Sequence, residues 1–284
     1  MRPLALVLAG LALATPAFSE DAGAEVAGAS FSAPSAPAAA PSMRLLAGWR
    51  APDGTRVAAI EIALAPGWHT YWRVPGEAGI PPSFDWSGSR NLAAVSYEWP
   101  RPEVFDTEGM QTFGYERRLV LPVRLHPADP GAPMQVALDA DIGVCSDICM
   151  AAQATAALQL GPDTPEDSRG EIEAALADRL QSPAEAGVVR TTCTLASGAD
   201  GDEIVATVTF ASATDPGQIA IIEPGRPDIW VGSPDTRVEG RTLTASAPME
   251  ALGTGGSMIA RDAVRLTLLG AERAIDIRGC DAPS

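Results

Sequence analysis

Cys145 and Cys149 are the residues of this chain whose type and spacing best suit chemistry. They lie four apart in Gly143-Val144-Cys145-Ser146-Asp147-Ile148-Cys149-Met150, with strand-like sequence on both sides. A three-residue loop of this kind places the two sulfurs across from each other at the mouth of a β-hairpin. Opposed residues in a hairpin hold their Cβ atoms about 4.5–5.5 Å apart and a disulfide needs about 3.5–4.5 Å, so a bond is reachable after a small adjustment. Disulfide stabilisation grows with the loop that is closed, so a ring this small is a poor staple. Strained or exposed bonds are also the most readily reduced. The pair therefore suggests thiol–disulfide exchange, in which one thiolate attacks a partner's disulfide and the second cysteine resolves the mixed disulfide. Asp147 in the loop disfavours thiolate, and no Lys, Arg or His is near in sequence, so ordinary thiols are expected. The residue that attacks is left open, and a plain hairpin clip is the structural alternative.

Cys193 and Cys280 suggest a different job. Each falls in strand-like sequence, at opposite ends of the second half of the chain. Joining them closes a loop of nearly that whole half, worth roughly 4–5 kcal/mol in the chain-entropy account. Small exported β domains use such bonds as permanent staples. A competing reading of the first pair is copper binding, because Cys145 and Cys149, with His69 or His126 and Met150, are soft ligands suited to Cu(I). Hydrolytic chemistry finds no support. The chain has only two histidines, no His-Glu-x-x-His and no Gly-x-Ser-x-Gly. No Gly-rich nucleotide loop lies between a strand and a helix, and no cofactor is expected.

The elements that must position these residues are mostly strands. From Met43 to Leu160, strand candidates run over Val57 to Leu64, Trp68 to Trp72, Asn91 to Trp99, Leu119 to Leu125, Gln135 to Ala140 and Ala154 to Leu160. Pro and Gly clusters punctuate the gaps, the pattern of a β-sandwich or barrel. Thr164-Pro165-Glu166-Asp167 then reads as a helix start, with a capping residue, a first-turn proline and acids at the positive end. Ile172, Leu176 and Leu180 recur every fourth residue, which predicts about four turns ending at Ser182-Pro183. Beyond Val188 the β pattern returns, with candidates at Ile204 to Phe210, Gln218 to Ile222, Arg241 to Ala245, Val264 to Leu269 and Ala274 to Arg278. The expected fold class is mainly β: an immunoglobulin-like β-sandwich over 43–161, a helical connector over 162–183 and a second, smaller β-sandwich over 184–284.

The N-terminus reads as an export signal. Arg2 precedes an apolar run from Leu4 to Ala14, and Ala17-Phe18-Ser19 offers a small-residue cleavage site. The run is shorter than the ~20 residues that span a bilayer. A signal peptide over 1–19, cleaved near Ser19, and a periplasmic location are expected. Residues 20–42 are rich in Ala, Gly, Ser and Pro and read as a flexible leader. The formal net charge is −16, and all twenty basic residues are Arg. An acidic surface repels phosphate backbones, which argues against a nucleic-acid partner.

Gly67-Trp68-His69-Thr70-Tyr71-Trp72, Pro75 through Trp86, Leu121-Pro122-Val123 and the Gly143–Cys149 segment fall in order along the first half. Together they resemble the periplasmic N-terminal domain of DsbD-type thiol:disulfide interchange proteins, in the ScsB-like branch. The resemblance covers about Met43 to Leu160. It implies an immunoglobulin-like fold and a redox pair at Cys145 and Cys149. That pair would take electrons from a membrane donor of DsbD/CcdA type and pass them to oxidised periplasmic thioredoxin-like proteins. It also implies a cap loop bearing an aromatic residue over the cysteines, here within Glu103 to Tyr115, with Phe105, Met110 and Phe113 as candidates. Two departures stand out. The best-known members separate their cysteines by a longer loop, and the full-length enzymes carry a transmembrane and a thioredoxin-like domain that this sequence lacks. A non-catalytic β-sandwich interaction module is the remaining alternative.

Overall fold

The computed structural model describes residues 40–107, 109–198, 201–253, 256 and 258–283. The expected signal peptide at 1–19 and nearly all of the expected leader lie outside the described residues. Among the described residues no helix is long and apolar enough to cross a membrane.

Ten strands make the first half: β1 (Ser42–Arg50), β2 (Arg56–Ala63), β3 (His69–Gly76), β4 (Ser83–Asp85), β5 (Leu92–Tyr97), β6 (Glu103–Thr107), β7 (Met110–Glu116), β8 (Arg118–Pro127), β9 (Met134–Cys145) and β10 (Cys149–Leu160). They form one sheet in the order β1-β2-β8-β5 and a second in the order β10-β9-β3-β7-β6, with β4 paired to β9. All pairings are antiparallel. Period-two alternation builds the core between the sheets. On β9, Met134, Val136, Leu138, Ala140, Ile142 and Val144 are buried, while Gln135, Asp139 and Asp141 are exposed. They meet Ile60, Ile62, Trp72, Leu121 and Leu125 in the sandwich interior. This is the immunoglobulin-like β-sandwich expected from the sequence.

The strand at Val57 reads as continuously apolar because both of its faces are covered. Ala58, Ile60 and Ile62 enter the sandwich core. Val57 and Ala59 face outward, where Leu46 and Ile172 cover them. Ile172 belongs to α1 (Arg169–Ala177), a nine-residue helix. That helix is shorter than the sequence suggested. The Thr164 hydroxyl accepts a bond backward from the Gly161 N–H rather than capping forward, and the helix begins after Ser168. Leu180 lies beyond its end and packs into the first core. There the chain is extended: the Leu180 N–H donates to the Trp99 carbonyl, and the Gln181 N–H to that of Ala274. The connector thus hydrogen-bonds to both halves.

The second half contains β11 (Val188–Gly198), β12 (Gly201–Phe210), β13 (Ile219–Glu223), β14 (Ile229–Val231), β15 (Asp235–Glu239), β16 (Thr242–Ala251), β17 (Arg265–Leu269) and β18 (Ala274–Arg278). One sheet runs β11-β12-β16-β14 with β15 also on β16, and a three-stranded sheet runs β13-β17-β18. Their core includes Ile204, Val208, Leu243, Leu266, Leu268 and Ile275. Ile221, Leu269 and Ala274 instead join the core of the first half, so apolar contact ties the two sandwiches together.

Candidate redox site on the outer face of the second sheet

β9 and β10 form a long hairpin in which Cys145 pairs directly with Cys149. A disulfide joins them, with Cα atoms 4.1 Å apart. Alternation along β9 puts Cys145, like Gly143 and Asp141, on the face of the sheet turned away from the sandwich core. The two sulfurs differ in setting. Cys145 is buried, at 6% exposure, whereas Cys149 is exposed on β10, the edge strand of its sheet. Ile148 beside it is 71% exposed and Met150 37%.

Beneath the disulfide lies β3. His69 pairs with Cys145 across the sheet, and Tyr71 follows two residues later on the same face. The Tyr71 ring is 1% exposed, and its hydroxyl donates to Cys149 Sγ at 3.1 Å. Burial pushes the Tyr71 phenol pKa above its ordinary value, so the group holds its proton and serves as a donor at neutral pH. Burial also pushes the His69 pKa down, against the opposing pull of Glu116 and Glu103, which keeps the imidazole neutral.

Glycines make room for this ring. A Cβ on Gly143 would stand 2.7 Å from Tyr71 Cδ2 and 2.6 Å from Ile80 Cβ. A Cβ on Gly79 would stand 2.7 Å from Tyr71 Cδ1 and 2.4 Å from Pro75 Cβ. The Pro75–Pro82 arm therefore folds over Tyr71, with Ile80 pressed above Gly143. Tyr71 was not singled out in the sequence, where the aromatics of Trp68 to Trp72 signal only a strand. The available clue was an aromatic residue whose neighbour strand carries glycine at Gly143, two residues before a cysteine.

The segment expected as a cap loop is a β-hairpin formed by β6 and β7. Of its three candidates, Phe105 reaches the site. Its ring stacks on His69 at 4.5 Å and 15°. Phe113 points the other way, into the core, edge-on to Trp72. Met110 starts β7 and is 40% exposed. Alternation sends Phe113 inward and thereby removes it as a cap.

The copper set is not assembled as the sequence reading combined it. His69 stands beside Cys145, but Met150 follows Cys149 directly, so alternation turns it to the opposite face. His126 lies on β8 in the other sheet, with its Nε2 3.3 Å from the Ser96 hydroxyl. In space, His69 comes from a distant strand to sit beside Cys145, but as a neutral imidazole it brings no positive charge to offset Asp147, which is exposed.

A second disulfide joins Cys193 and Cys280, 87 residues apart. Cys193 is buried on β11. Cys280 falls just past β18 rather than within a strand, because Gly279 turns the chain at φ +75°. The Cys280 N–H then donates to the Arg261 carbonyl.

Residues 42–160 match the family model described as thiol:disulfide interchange protein DsbD, N-terminal. The crystal structure of the N-terminal periplasmic domain of ScsB from Proteus mirabilis is similar, with a TM-score of 0.64 at 19% identity. That similarity covers 86% of this chain and 92% of the other, so the likeness in fold runs on into the second sandwich. No curated protein matches the sequence. The segment from 42 to 160, with the cysteine hairpin near its end, is thus similar to the N-terminal domain of DsbD-type thiol:disulfide interchange proteins.

Proposed function

We propose that this chain is a periplasmic thiol–disulfide exchange protein that passes electron pairs through Cys145 and Cys149. Its reductant is a membrane protein of DsbD/CcdA type, and its acceptors are oxidised thioredoxin-like proteins. The observation that carries this reading is the asymmetry of the pair. Cys149 is exposed on an edge strand with the Tyr71 hydroxyl 3.1 Å from its sulfur, while Cys145 is buried behind it. Cys149 is therefore the sulfur that a partner reaches. The exposed side chains of Ile148 and Met150 give that partner an apolar rim to rest on.

In the donating direction, the Cys149 thiolate attacks one sulfur of the partner's disulfide, and the partner's other sulfur leaves as thiolate. The Cys145 thiolate then attacks Cys149 Sγ in the mixed disulfide and expels the second partner thiolate. Two electrons pass to the partner, and Cys145–Cys149 is left oxidised. Tyr71, as a hydrogen-bond donor, stabilises charge on Cys149 whenever that sulfur is the thiolate.

The test is capture of the intermediate. A Cys145→Ser variant lacks the resolving sulfur and should accumulate a mixed disulfide with an oxidised thioredoxin-like protein through Cys149. A Cys149→Ser variant should not. Absence of any adduct with the first variant would reject the reading.

A further inference from the structure

Two residues beyond Tyr71 on β3, where the register against β7 shifts, the Arg73 side chain reaches from the first sandwich to the second. Its side chain is 12% exposed, and the guanidinium carbon lies 3.9 Å from the Trp72 ring centroid. Nη2 donates to Glu223 at 2.8 Å and to the Thr267 hydroxyl at 3.0 Å, and stands 3.8 Å from Asp276. These three residues come one each from β13, β17 and β18. Arg265 completes the cluster through both oxygens of Asp276, at 2.5 and 2.8 Å.

The same stretch is gripped again four residues later. One Glu77 carboxylate oxygen accepts from the Gln111 N–H of β7 at 3.0 Å. The other accepts from the Ser233 hydroxyl of the second sandwich at 3.0 Å. The second sandwich thus holds the chain at Arg73, within β3, and at Glu77, just past its end. On one side stands Tyr71, and on the other begins the arm that carries Ile80 over the Tyr71 ring.

Adhesion alone does not call for this cluster. Ile221, Leu269 and Ala274 already bury apolar surface against the first core. Burying charges is costly before they are paired, so such clusters are weak evidence for stability. A buried planar guanidinium held by three strands fixes a position instead.

We propose that Arg73 is a positioning residue for thiol exchange, through which Glu223, Thr267 and Asp276 of the second sandwich hold Tyr71 against Cys149. This rests on the reading of Cys145–Cys149 as a redox pair and assigns the second sandwich a part in it. The test uses the full chain in a Cys145→Ser background, with Cys149 reacted with a small aromatic disulfide across pH. Glu223→Gln and, as a milder change, Thr267→Val should each raise the pH midpoint of the reaction. The rate at neutral pH should fall by about threefold, the low end of couplings within one network. In a Tyr71→Phe background neither change should slow the reaction further. An unchanged profile in a folded Thr267→Val protein, or an equal slowing without the Tyr71 hydroxyl, would overturn the proposal. A wild-type Cys145–Cys149 bond that resists reduction would instead reject the underlying redox reading.

Discussion

Removing the hydroxyl of Tyr71 takes away one atom and leaves the buried ring in place. In the oxidised protein that hydroxyl donates to a neutral disulfide sulfur at 3.1 Å, a weak bond. In the reduced protein it faces a thiolate, and hydrogen bonds to charged groups contribute about 1.5–3 kcal/mol. One pKa unit corresponds to about 1.4 kcal/mol, so Tyr71→Phe should raise the Cys149 thiol pKa by about one to two units. The thiolate fraction at neutral pH then falls about ten- to a hundredfold. A more basic thiolate is a better nucleophile, with a Brønsted slope of about 0.4–0.5, so the net loss in exchange rate is about three- to tenfold. Stopped-flow reaction of the reduced Cys145→Ser protein with an aromatic disulfide, run from acid to alkaline pH, measures both quantities. Identical profiles with and without the hydroxyl would refute the assignment of Tyr71 as the group that stabilises the thiolate.

Other outcomes follow from the same geometry. Gly143→Ala forces a methyl against Ile80 and Tyr71; overpacking of this kind costs about 1–3 kcal/mol, and calorimetry should show the melting temperature lowered by several degrees. Replacing Cys193 and Cys280 together by Ser opens a loop whose ends are 87 residues apart and should cost about 4–5 kcal/mol in urea unfolding; a loss under about 1 kcal/mol would mean the bond is not a staple. His69 has its pKa depressed by burial, so the unfolded chain binds the proton first. Its contribution is fully present above the ordinary value of 6.5 and is lost as pH falls through the lower folded value. Wild type should therefore lose more stability than His69→Phe between about pH 7.5 and about pH 5, and equal losses would exclude His69 as the group responsible.

How much of this could be read from the sequence depended on the range of the physics involved. The cysteine hairpin was legible because four-residue spacing between strand-like segments is a local signal. The alternation of β12 and β18 was legible for the same reason. The loop over Glu103 to Tyr115 is an expectation that only the family resemblance supplies, and the segment is a hairpin instead. Its pairing comes from β7, which is itself fixed against β3. Leu180 extended the apparent helix because four-residue spacing does not distinguish a helical stripe from a residue buried by an extended strap. Tyr71 was missed since its role depends on Gly143 and Cys149 arriving from a hairpin more than seventy residues away. Arg73 was illegible in a stronger sense. Its acid partner Glu223 lies 150 residues along the chain, and nothing near Arg73 marks it as buried.

The most direct test of the central claim is the equilibrium reduction potential of Cys145–Cys149 in the full chain, followed by mass spectrometry so that each disulfide is scored separately. An exchange pair that works by opening and closing should equilibrate at a potential above about −300 mV, with Cys193–Cys280 remaining oxidised throughout. A Cys145–Cys149 bond that holds at lower potentials, as stable structural disulfides do, would contradict the account.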